Sequence, residues 1–543
     1  MRHSYKYIKL GIALTLLVSA AGCKKLEPEV YSRVANENFW QTPDQIAAGI
    51  APAYSQLRNI PDGNFHDLQE ESSDELVVPA RGNDWLAAGQ HIQLFTHTWN
   101  SQTQQVQDAW NDLYSGVTKI NFILSIVNNL NPAPATLPAI NAELKTLRAL
   151  YYYWLMDLYG NVPLVTDFNT NPNGVKNSTR KQVYDFIESE IKANMGQLST
   201  DRSLTNYGRI NKYVADCILA KLYLNSVQYV GTARYADCIK VCDTVITAGY
   251  SLESNYFDNF AIENQSSKEN IFVVPFDNVN IGGNNWAAQT LHYQNDKNYQ
   301  ISGGGWNGYC TNAEFYSHFD TTSTYSVRGK NTYRTYNDAR AGQWIIGQQY
   351  AEIATYPPNT GVLSNSTDAT LKIKDAQTGL DLSFYSDITE ISNPAASFRL
   401  AGLRNVKYWP NPGIQVSQNN DMVIFRLADV LLMRAEASVR NGSQSNVDLG
   451  YVNQIRMRAY GGVQKYAWTM SDLTLNNLFL ERGRELAWEN VRRQDCIRFG
   501  NFASARKPQK MQDADNHWEI YPIPQNQHIA NPNLTQNPGY AGF

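Results

Sequence analysis

Residues 425–442, FRLADVLLMRAEASVRNG, followed by residues 445–460, SNVDLGYVNQIRMRAY, decide the fold of this chain. Both segments carry apolar residues at helical spacing, and Gly442 ends the first of them. A helix, a turn and a second helix within about 35 to 40 residues match the period of tetratricopeptide repeats. Such a unit buries its apolar faces only by stacking on further copies, so the segment predicts a scaffold of repeated helical pairs.

The chain contains a second helical pair of the same kind. NKYVADCILAKLYLNSVQY, residues 211–229, precedes RYADCIKVCDTVITAGY, residues 234–250, with a break at Gly231. Two clear copies imply less visible ones, which we place around residues 105–160 and 180–200.

One predicted helix of the scaffold carries an aromatic stripe. In ELKTLRALYYYWLMDLYG, residues 143–160, Tyr151, Trp154 and Leu158 follow the helical period, and Gly160 ends the helix. Because these side chains keep to one face, we interpret them as core packing and not as a ligand site.

The stretch between the two clear pairs has a different amino-acid composition. It is rich in Asn, Gly, Thr, Ser and Tyr and has few long apolar periods, which predicts loops and short strands. The predicted fold class is therefore mainly α, a tetratricopeptide-like helical-pair scaffold with a long irregular insertion. We assign about 36–255 and 421–505 to the scaffold, about 256–420 to the insertion and 506–543 to a C-terminal tail. Irregular insertions on rigid scaffolds often carry binding residues, so we expect this one to form a ligand face.

Part of the insertion is enriched in aromatic residues. Between Trp286 and Tyr309, five residues are Trp or Tyr and only Asp296 and Lys297 are charged. Aromatic faces beside Asn and Gln amides suit a ligand with apolar faces and many hydroxyl groups, such as a sugar. The glycine run 303–305 lacks the following Lys of a phosphate loop, so we expect it either to let the backbone bring Trp306 to a tip or to be simply a turn. Core packing is the alternative for the whole stretch.

The first residues are typical of an export signal. Three basic residues precede an apolar run from Leu10 to Ala21, whose twelve residues are fewer than the roughly 20 of a membrane-spanning helix. Small residues stand directly before Cys23, as in a bacterial lipoprotein box. We predict a signal peptide over residues 1–22 and lipidation of Cys23 as a membrane anchor. The alternative is a secreted protein in which Cys23 is incidental.

Charge and cysteine usage exclude some classes of function. Removing residues 1–22 changes the formal net charge from −4 to −7, which disfavours a nucleic-acid partner. The five remaining cysteines are scattered and odd in number, which disfavours a disulfide framework. Cys238 and Cys242 lie four apart on a predicted helix with no His or third Cys nearby, so we interpret them as small buried residues.

ERGRELAWENVRRQDCIRFG, residues 481–500, is either a catalytic group of carboxylates or a buried ionic frame. Glu481, Glu485 and Glu489 recur every four residues, so we expect them on one helical face with arginines within about one turn. A glycosidase needs one of its two carboxylates held protonated as the acid. Because neighbouring arginines keep glutamates ionised and occupied, we predict the ionic frame.

Other catalytic and metal motifs are weak in this sequence. Neither a G-x-S-x-G nor an H-E-x-x-H motif occurs. An acidic cluster lacks the spaced ligands and turn glycine of a calcium loop, so we predict a solvated helix face for it. Its members are Glu70, Glu71, Asp74 and Glu75.

Seven stretches, spread over nearly all of the mature sequence, carry a family resemblance. They are ENFWQTPDQIAAGIAPAYSQLR (37–58), WNDLYSGVTKINFIL (110–124), LRALYYYWLMDLYGNVPLV (147–165), FRLADVLLMRAEA (425–437), VNQIRMRA (452–459), ERGRELAWENVRRQDCIRFG (481–500) and YPIPQNQHIANPNLTQNPGY (521–540). In this order they make the chain resemble the SusD/RagB family of outer-membrane lipoproteins of Bacteroidota.

The resemblance implies a single domain over residues 23–543 and a role in nutrient capture. Members of the family look like lids on a SusC-like, TonB-dependent outer-membrane transporter, and they capture oligosaccharides or, in some relatives, peptides. The resemblance implies no catalysis, metal or organic cofactor. It implies a lipid-anchored protein of the cell outer membrane that faces outward.

The resemblance also adds candidate ligand contacts. PARGNDWLAAGQH, residues 79–91, resembles a loop that lies by the ligand in one branch of the family. This loop contributes one aromatic residue and two polar residues that would bind hydroxyl groups of the ligand. The aromatic stretch contributes the remaining predicted contacts. The predicted ligand-binding residues are Trp306, Asn307, Tyr309, Trp286, Trp85, Asn83 and Asp84. For each of them, packing within the fold is the alternative.

Three functions are compatible with these observations. We favour a non-catalytic protein that captures oligosaccharides for a SusC-like transporter. A peptide-capturing relative is the alternative in the same class. A surface glycoside hydrolase using Asp338 or Glu314 is the alternative of another class, although Asp338 lies in NDARAGQW, which resembles a structural family motif with Arg340.

Overall fold

Helices form most of the regular structure, which confirms the predicted fold class. The computed structural model describes residues 39–40, 42–86, 89–393, 395 and 399–542, so the predicted signal peptide and Cys23 lie outside the described residues. In the described part of the chain the helices are α1 (Pro43–Ser55), α2 (Asn64–Glu70), α3 (Gln90–Thr96), α4 (Gln104–Val127), α5 (Leu137–Tyr159), α6 (Arg180–Asn194), α7 (Lys212–Leu224), α8 (Ser226–Val230), α9 (Tyr235–Ile246), α10 (Trp286–Thr290), α11 (Asp296–Tyr299), α12 (Ala313–Tyr316), α13 (Leu427–Arg440), α14 (Asn446–Ala459), α15 (Leu475–Leu486), α16 (Arg492–Phe499) and α17 (Gln525–Ala530).

The two predicted helical pairs are present and stack on each other. The first pair is α7 and α9, with the short α8 in its turn, and the second is α13 and α14. Helix α9 packs on both α7 and α13, so it buries apolar surface that neither pair covers alone. Cys238 and Cys242 are buried, and the Cys238 thiol donates a hydrogen bond to the carbonyl of Ala220 on α7 at 3.4 Å. Both cysteines are therefore small buried residues, as predicted.

Polar residues define where these helices begin. The Asn211 side chain accepts hydrogen bonds from the N–H groups of Tyr213 and Val214 at the start of α7. Ser445 and Asp448 form a reciprocal capping box at the start of α14. These bonds satisfy N–H groups that the first helical turn leaves without partners.

The less visible helices of the scaffold also occur where they are predicted. Helix α5 packs on both α4 and α6, and these three cover the predicted regions 105–160 and 180–200. Tyr151 and Trp154 of the aromatic stripe are buried, which confirms that the stripe is core packing. The helix ends at Gly160, whose φ of 66° is readily adopted by glycine.

The insertion is closed at its base by β1 and β9, which pair antiparallel. The strands are β1 (Asn270–Val274), β2 (Ser323–Arg328), β3 (Asn331–Tyr336), β4 (Trp344–Ile345), β5 (Gly347–Gln348), β6 (Val362–Ser366), β7 (Ser383–Phe384), β8 (Arg404–Asn405) and β9 (Met422–Arg426). Strands β2, β3 and β6 form one sheet, and β4–β8 and β5–β7 form two short ladders. One hydrophobic core joins Trp110 of α4 and Trp154 of α5 to Trp286 and Trp344 of the insertion. The scaffold and the insertion therefore share a core.

Residues 481–500 do not form one helix, which corrects part of the prediction. Helix α15 ends before this segment does, the chain turns with Trp488 at a φ of 57°, and α16 begins after the turn. Glu489 therefore lies in the turn and not on the helical face that carries Glu481 and Glu485.

The predicted ionic frame is confirmed, although most of its arginines are distant in sequence. Glu481 contacts Arg340 at 2.8 Å and Arg456 at 2.7 Å, and Glu485 contacts Arg426 at 2.6 Å. Burial raises the pKa of Glu485, but the surrounding guanidinium groups outweigh it and lower that pKa to about 2. These glutamates are ionised and occupied, as the sequence predicts.

The acidic cluster near α2 is not a solvated helix face, and that prediction is wrong. Its buried members are Glu70, Glu71 and Glu75. The cluster packs under the turn between α15 and α16, where a Glu75 carboxylate oxygen accepts a hydrogen bond from the N–H of Trp488 at 2.6 Å. The contact joins residues that are 413 positions apart, so no local pattern indicates it.

Candidate functional site

A tight turn presents the predicted loop residues at the surface. Residues 81 and 84 bond to each other through their backbones, and the side chains of Asn83 and Asp84 are exposed. Trp85 follows with a φ of 59°, a left-handed conformation that is strained for a bulky residue and typical of functional sites. Its indole N–H donates a hydrogen bond to the carbonyl of Trp306 at 2.7 Å, which holds the strained residue in place.

The glycine run places Trp306 beside this loop. A side chain at Gly304 would lie 1.7 Å from the carbonyl oxygen of Tyr293, and one at Gly305 would lie 1.9 Å from that of Leu291. Only glycine permits the backbone of this run to approach the preceding segment so closely. The run therefore leads the chain directly to Trp306, whose side chain is partly exposed. Among the described residues, no other ring packs on that of Trp306.

Tyr293 ties the two aromatic segments together, and the predicted residue set omits it. Its hydroxyl donates a hydrogen bond to the Asp84 carboxylate at 2.5 Å, and the Arg399 guanidinium lies 4.6 Å from its ring centre. Tyr293 belongs to the aromatic stretch, so composition indicates it, but nothing local distinguishes it from its neighbours. We call the surface formed by Trp85, Tyr293, Trp306, Asn83 and Asp84 the aromatic surface.

The structure does not bring three of the predicted ligand contacts to the aromatic surface. Trp286, Asn307 and Tyr309 are each at most 3% exposed. The Trp286 ring packs in the core against the ring of Trp488, with centroids 5.7 Å apart. The Asn307 amide bonds to a backbone carbonyl and to the Arg404 guanidinium at 2.9 Å. The burial of these three side chains contradicts their prediction as direct ligand contacts.

A buried polar network lies beneath Trp85. The ring of Trp85 packs on those of His91 and Tyr309, with centroids 5.5 and 5.9 Å apart. The Tyr309 hydroxyl donates to Asp67 at 2.5 Å, and His91 Nδ1 lies 2.8 Å from a Glu71 oxygen. Burial raises the pKa of Asp67 to about 8, and the Glu71 carboxylate adds to the effect. Burial therefore favours the neutral form of Asp67.

The same network contains the atoms of a possible metal site. A carboxylate oxygen of Asp67, one of Glu71 and a nitrogen of His91 lie within 4.8 Å of one another. This donor set suits a divalent cation. Each group, however, has a protein partner in the network, and the hydrogen bonds account for the arrangement without an ion.

The carboxylates of the hydrolase hypothesis are not arranged for catalysis. Asp338 is fully buried, and its two oxygens accept hydrogen bonds of 2.9 Å from the Arg340 guanidinium. Glu314 is exposed on α12. A glycosidase needs both of its carboxylates free to face the scissile bond, and Asp338 is not free.

No helix within the described ranges has both the length and the apolar character needed to cross a membrane.

The fold and the aromatic surface together define a class of protein, a helical-pair scaffold that displays an irregular face. Comparison with known families then assigns the chain. The model described as the SusD family matches residues 268–540, just over half of the chain, and one described as starch-binding associating with outer membrane matches residues 31–224. The chain belongs to the SusD family.

Curated relatives match along most of their length. The starch-binding protein SusD of Bacteroides thetaiotaomicron is 26% identical over 476 residues, 82% of this chain and 81% of its own. A SusD-like protein of Bacteroides ovatus is 23% identical over 544 residues, 96% of this chain and 87% of its own.

Solved structures share the fold. A laminarin-binding SusD-like protein aligns with a TM-score of 0.67 at 21% identity, covering 92% of this chain and 100% of its own. Surface glycan-binding protein A of Bacteroides thetaiotaomicron, solved with laminarihexaose, aligns with a TM-score of 0.66 at 19% identity and the same coverage. Three of these relatives are named for the glycans that they bind, namely starch, laminarin and surface glycans.

Proposed function

We propose that this chain is a non-catalytic lipoprotein of the outer membrane that captures oligosaccharides and delivers them to a SusC-like, TonB-dependent transporter. The observation that carries the proposal is the pairing of Trp85 with Trp306. The strained backbone of Trp85 and the hydrogen bond from its indole N–H to the Trp306 carbonyl hold the partly exposed Trp85 ring beside the segment that carries Trp306. A preorganised aromatic platform loses little conformational entropy when a ligand binds.

The chemistry of the aromatic surface favours a sugar over a peptide. Indole faces pack on the apolar C–H faces of a sugar ring, while Asn83 and Asp84 offer an amide and a carboxylate to its hydroxyl groups. Each ring face buried on an indole removes on the order of 50 to 100 Å² of apolar surface, which contributes roughly 1 to 2.5 kcal/mol. Several such contacts add along an oligosaccharide.

Replacing Trp306 with alanine tests the platform. We expect Trp306→Ala to weaken binding by about 5- to 70-fold, because the lost stacking is worth roughly 1 to 2.5 kcal/mol. The measurement is calorimetric titration of residues 24–543 with plant, microbial and host oligosaccharides, including laminarihexaose and maltohexaose.

Tyr325→Ala is the matched control, because Tyr325 is an exposed aromatic residue on β2, outside the aromatic surface. Equal loss in both variants, or undiminished binding by Trp306→Ala, contradicts the assignment of the surface. Binding of peptides but of no glycan in the panel favours the peptide-capturing alternative. Release of sugar by the purified protein favours the hydrolase.

Anchoring and delivery are tested in cells. We expect Cys23→Ala to release the protein from the membrane fraction and to slow uptake of the bound oligosaccharide, because the lipid holds the protein beside its transporter. Fractionation and uptake assays measure the two effects. Normal membrane association of the variant contradicts the anchor.

A further inference from the structure

A separate pocket lies in the insertion beside the β2–β3–β6 sheet. It has a volume of about 110 Å³, and its lining includes Tyr299, Tyr333, Glu352, Trp409 and Arg328. None of its lining residues belongs to the aromatic surface. We call it the sheet pocket.

Two aromatic side chains present polar groups in the sheet pocket that the protein leaves unused. Tyr299 is only 7% exposed, and Trp409 is partly buried beside it with ring centroids 5.6 Å apart. In the part of the chain that the structure describes, neither the Tyr299 hydroxyl nor the Trp409 indole N–H has a hydrogen-bond partner. Neither atom is among the buried polar atoms without a partner in the described residues, so both contact solvent in the pocket, and a ligand group that replaces this water can bond to them.

Charged groups at the sheet pocket complement these two. The Glu352 carboxylate accepts hydrogen bonds from the Tyr333 hydroxyl at 2.6 Å and the Asn331 amide at 3.1 Å, which fix its position. A carboxylate offers about four acceptor sites, so Glu352 can accept further hydrogen bonds. The Arg328 guanidinium lies 4.8 Å from the Tyr333 ring centre, and among the described residues no carboxylate lies within ion-pair distance of it.

The sheet pocket therefore combines ring faces with donors and acceptors that converge on a small volume. Small-molecule sites have this composition, an apolar lining with a few placed polar groups. A sugar ring presents C–H faces and hydroxyl groups that both donate and accept, and both kinds of group have counterparts here. The adjacent charges of opposite sign do not select for a net charge on the ligand.

We propose that the sheet pocket binds one sugar ring of a carbohydrate, as a second site distinct from the aromatic surface. The class of ligand rests on the proposed function, but the location does not. The insertion would then hold a long glycan at two points, or two separate chains.

Tyr299→Phe is the sharpest variant, because it removes one oxygen atom that has no protein partner. We expect folding stability to be unchanged and carbohydrate affinity at the sheet pocket to fall by about 5- to 10-fold. Tyr316→Phe is the matched control, since the Tyr316 hydroxyl bonds to that of Tyr336 at 3.3 Å and does not line the sheet pocket. A merely structural role for Tyr299 predicts lost stability and unchanged affinity.

The measurement is fluorine NMR of the full mature chain labelled with 5-fluorotryptophan and titrated with maltohexaose and laminarihexaose. Signals are assigned with Trp409→Phe and Trp306→Phe. We expect the Trp409 signal to shift, and Tyr299→Phe to move the midpoint of that shift to higher sugar concentration.

The remaining outcomes separate the two proposals. A shift of the Trp306 signal alone overturns the sheet pocket and leaves glycan capture intact. A shift of the Trp409 signal alone supports the sheet pocket and overturns the aromatic surface as the capture site. No shift of either signal with any oligosaccharide of the panel overturns both.

Discussion

Whether a buried carboxyl group in this protein is charged depends on the groups that touch it. Glu481 and Asp67 are both buried. Burial raises the pKa of Glu481, but the guanidinium groups around it outweigh that effect and hold the pKa below its ordinary value. Burial raises the pKa of Asp67 to about 8, and the neighbouring Glu71 adds to the effect, since no guanidinium group of the described residues offsets it there. One residue is a charged member of the ionic frame, and the other is a neutral hydrogen-bonding group beneath Trp85.

Asp67→Asn tests the neutral state of Asp67. An amide can accept the Tyr309 hydroxyl and donate to Glu71, as the protonated acid does. The native pKa is raised above the unfolded value of about 3.9, so the contribution of Asp67 to stability is present below pH 4 and is lost as the pH rises towards 8. The free energy of unfolding of the variant, taken relative to that of the wild type, is therefore expected to increase by about 2 kcal/mol from pH 5 to pH 7. Urea denaturation at both values measures it.

The control for this experiment is Asp320→Asn, a change at an acid in an irregular segment. Its stability is expected to follow that of the wild type at both pH values. Lower stability of Asp67→Asn than of the wild type at pH 7 contradicts the neutral form of Asp67.

At the scale of the element, helix packing outweighs helix propensity at particular positions. Gly116 lies in the middle of α4, where glycine costs roughly 1 kcal/mol relative to alanine. A side chain there would lie 2.3 Å from the ring of Tyr151 on α5. The glycine permits α4 and α5 to approach each other, so the aromatic stripe can pack between them.

Two matched glycine substitutions separate packing from propensity. We expect Gly116→Ala to destabilise the protein by about 1–3 kcal/mol, because the methyl group overpacks the contact with Tyr151. Gly450→Ala in α14 is expected to stabilise it by about 0.5–1 kcal/mol, because nothing lies within 4 Å of the added carbon. Chemical denaturation of both variants measures the difference. Stabilisation by both would show that α4 and α5 can separate without cost.

At the scale of the whole molecule, Arg426 joins segments that are far apart in the sequence. Its guanidinium contacts Glu269 at 2.7 Å, Glu485 at 2.6 Å and Glu489 at 2.7 Å. Glu269 directly precedes β1, Arg426 ends β9, and the other two lie in and after α15. The arginine therefore ties the base of the insertion to the last part of the scaffold.

Removing Arg426 is expected to destabilise the molecule strongly. Arg426→Met leaves buried carboxylates without their partner, which typically costs about 3–5 kcal/mol. The native pKa of Glu485 is lowered to about 2, so the stability from its pairing is present above the unfolded pKa and is lost as the pH falls towards 2. The deficit of the variant is therefore largest near pH 7 and shrinks below pH 4. Urea denaturation across this range measures it.

Lys330→Met is the comparison for Arg426→Met, since the Lys330 ammonium is exposed and lies 3.8 Å from its carboxylate partner. Such surface pairs contribute less than about 1 kcal/mol. A deficit for Arg426→Met as small as that of Lys330→Met would mean that the ionic frame does not hold the insertion to the scaffold.

The sequence by itself determined the helical pairs, their ends and the role of the aromatic stripe. These features depend on periodicity and capping within a few residues, as at Gly160, Asn211 and Ser445. The glycine run before Trp306 is also a local signal, because only glycine permits the close backbone approach found there. One local prediction failed, since Glu489 lies in a turn after α15 and not on its helical face, and the other predictions that proved wrong concern longer distances.

The tertiary structure decided which residues face the solvent and which charges pair. Trp286 and Tyr309 are buried, whereas Trp306 is partly exposed. Composition does not distinguish them, because all three lie in one aromatic stretch. The Arg340 partner of Glu481 is 141 positions away, so helical spacing cannot predict it. Burial and ion pairing depend on how distant segments pack, and local sequence patterns do not encode that packing.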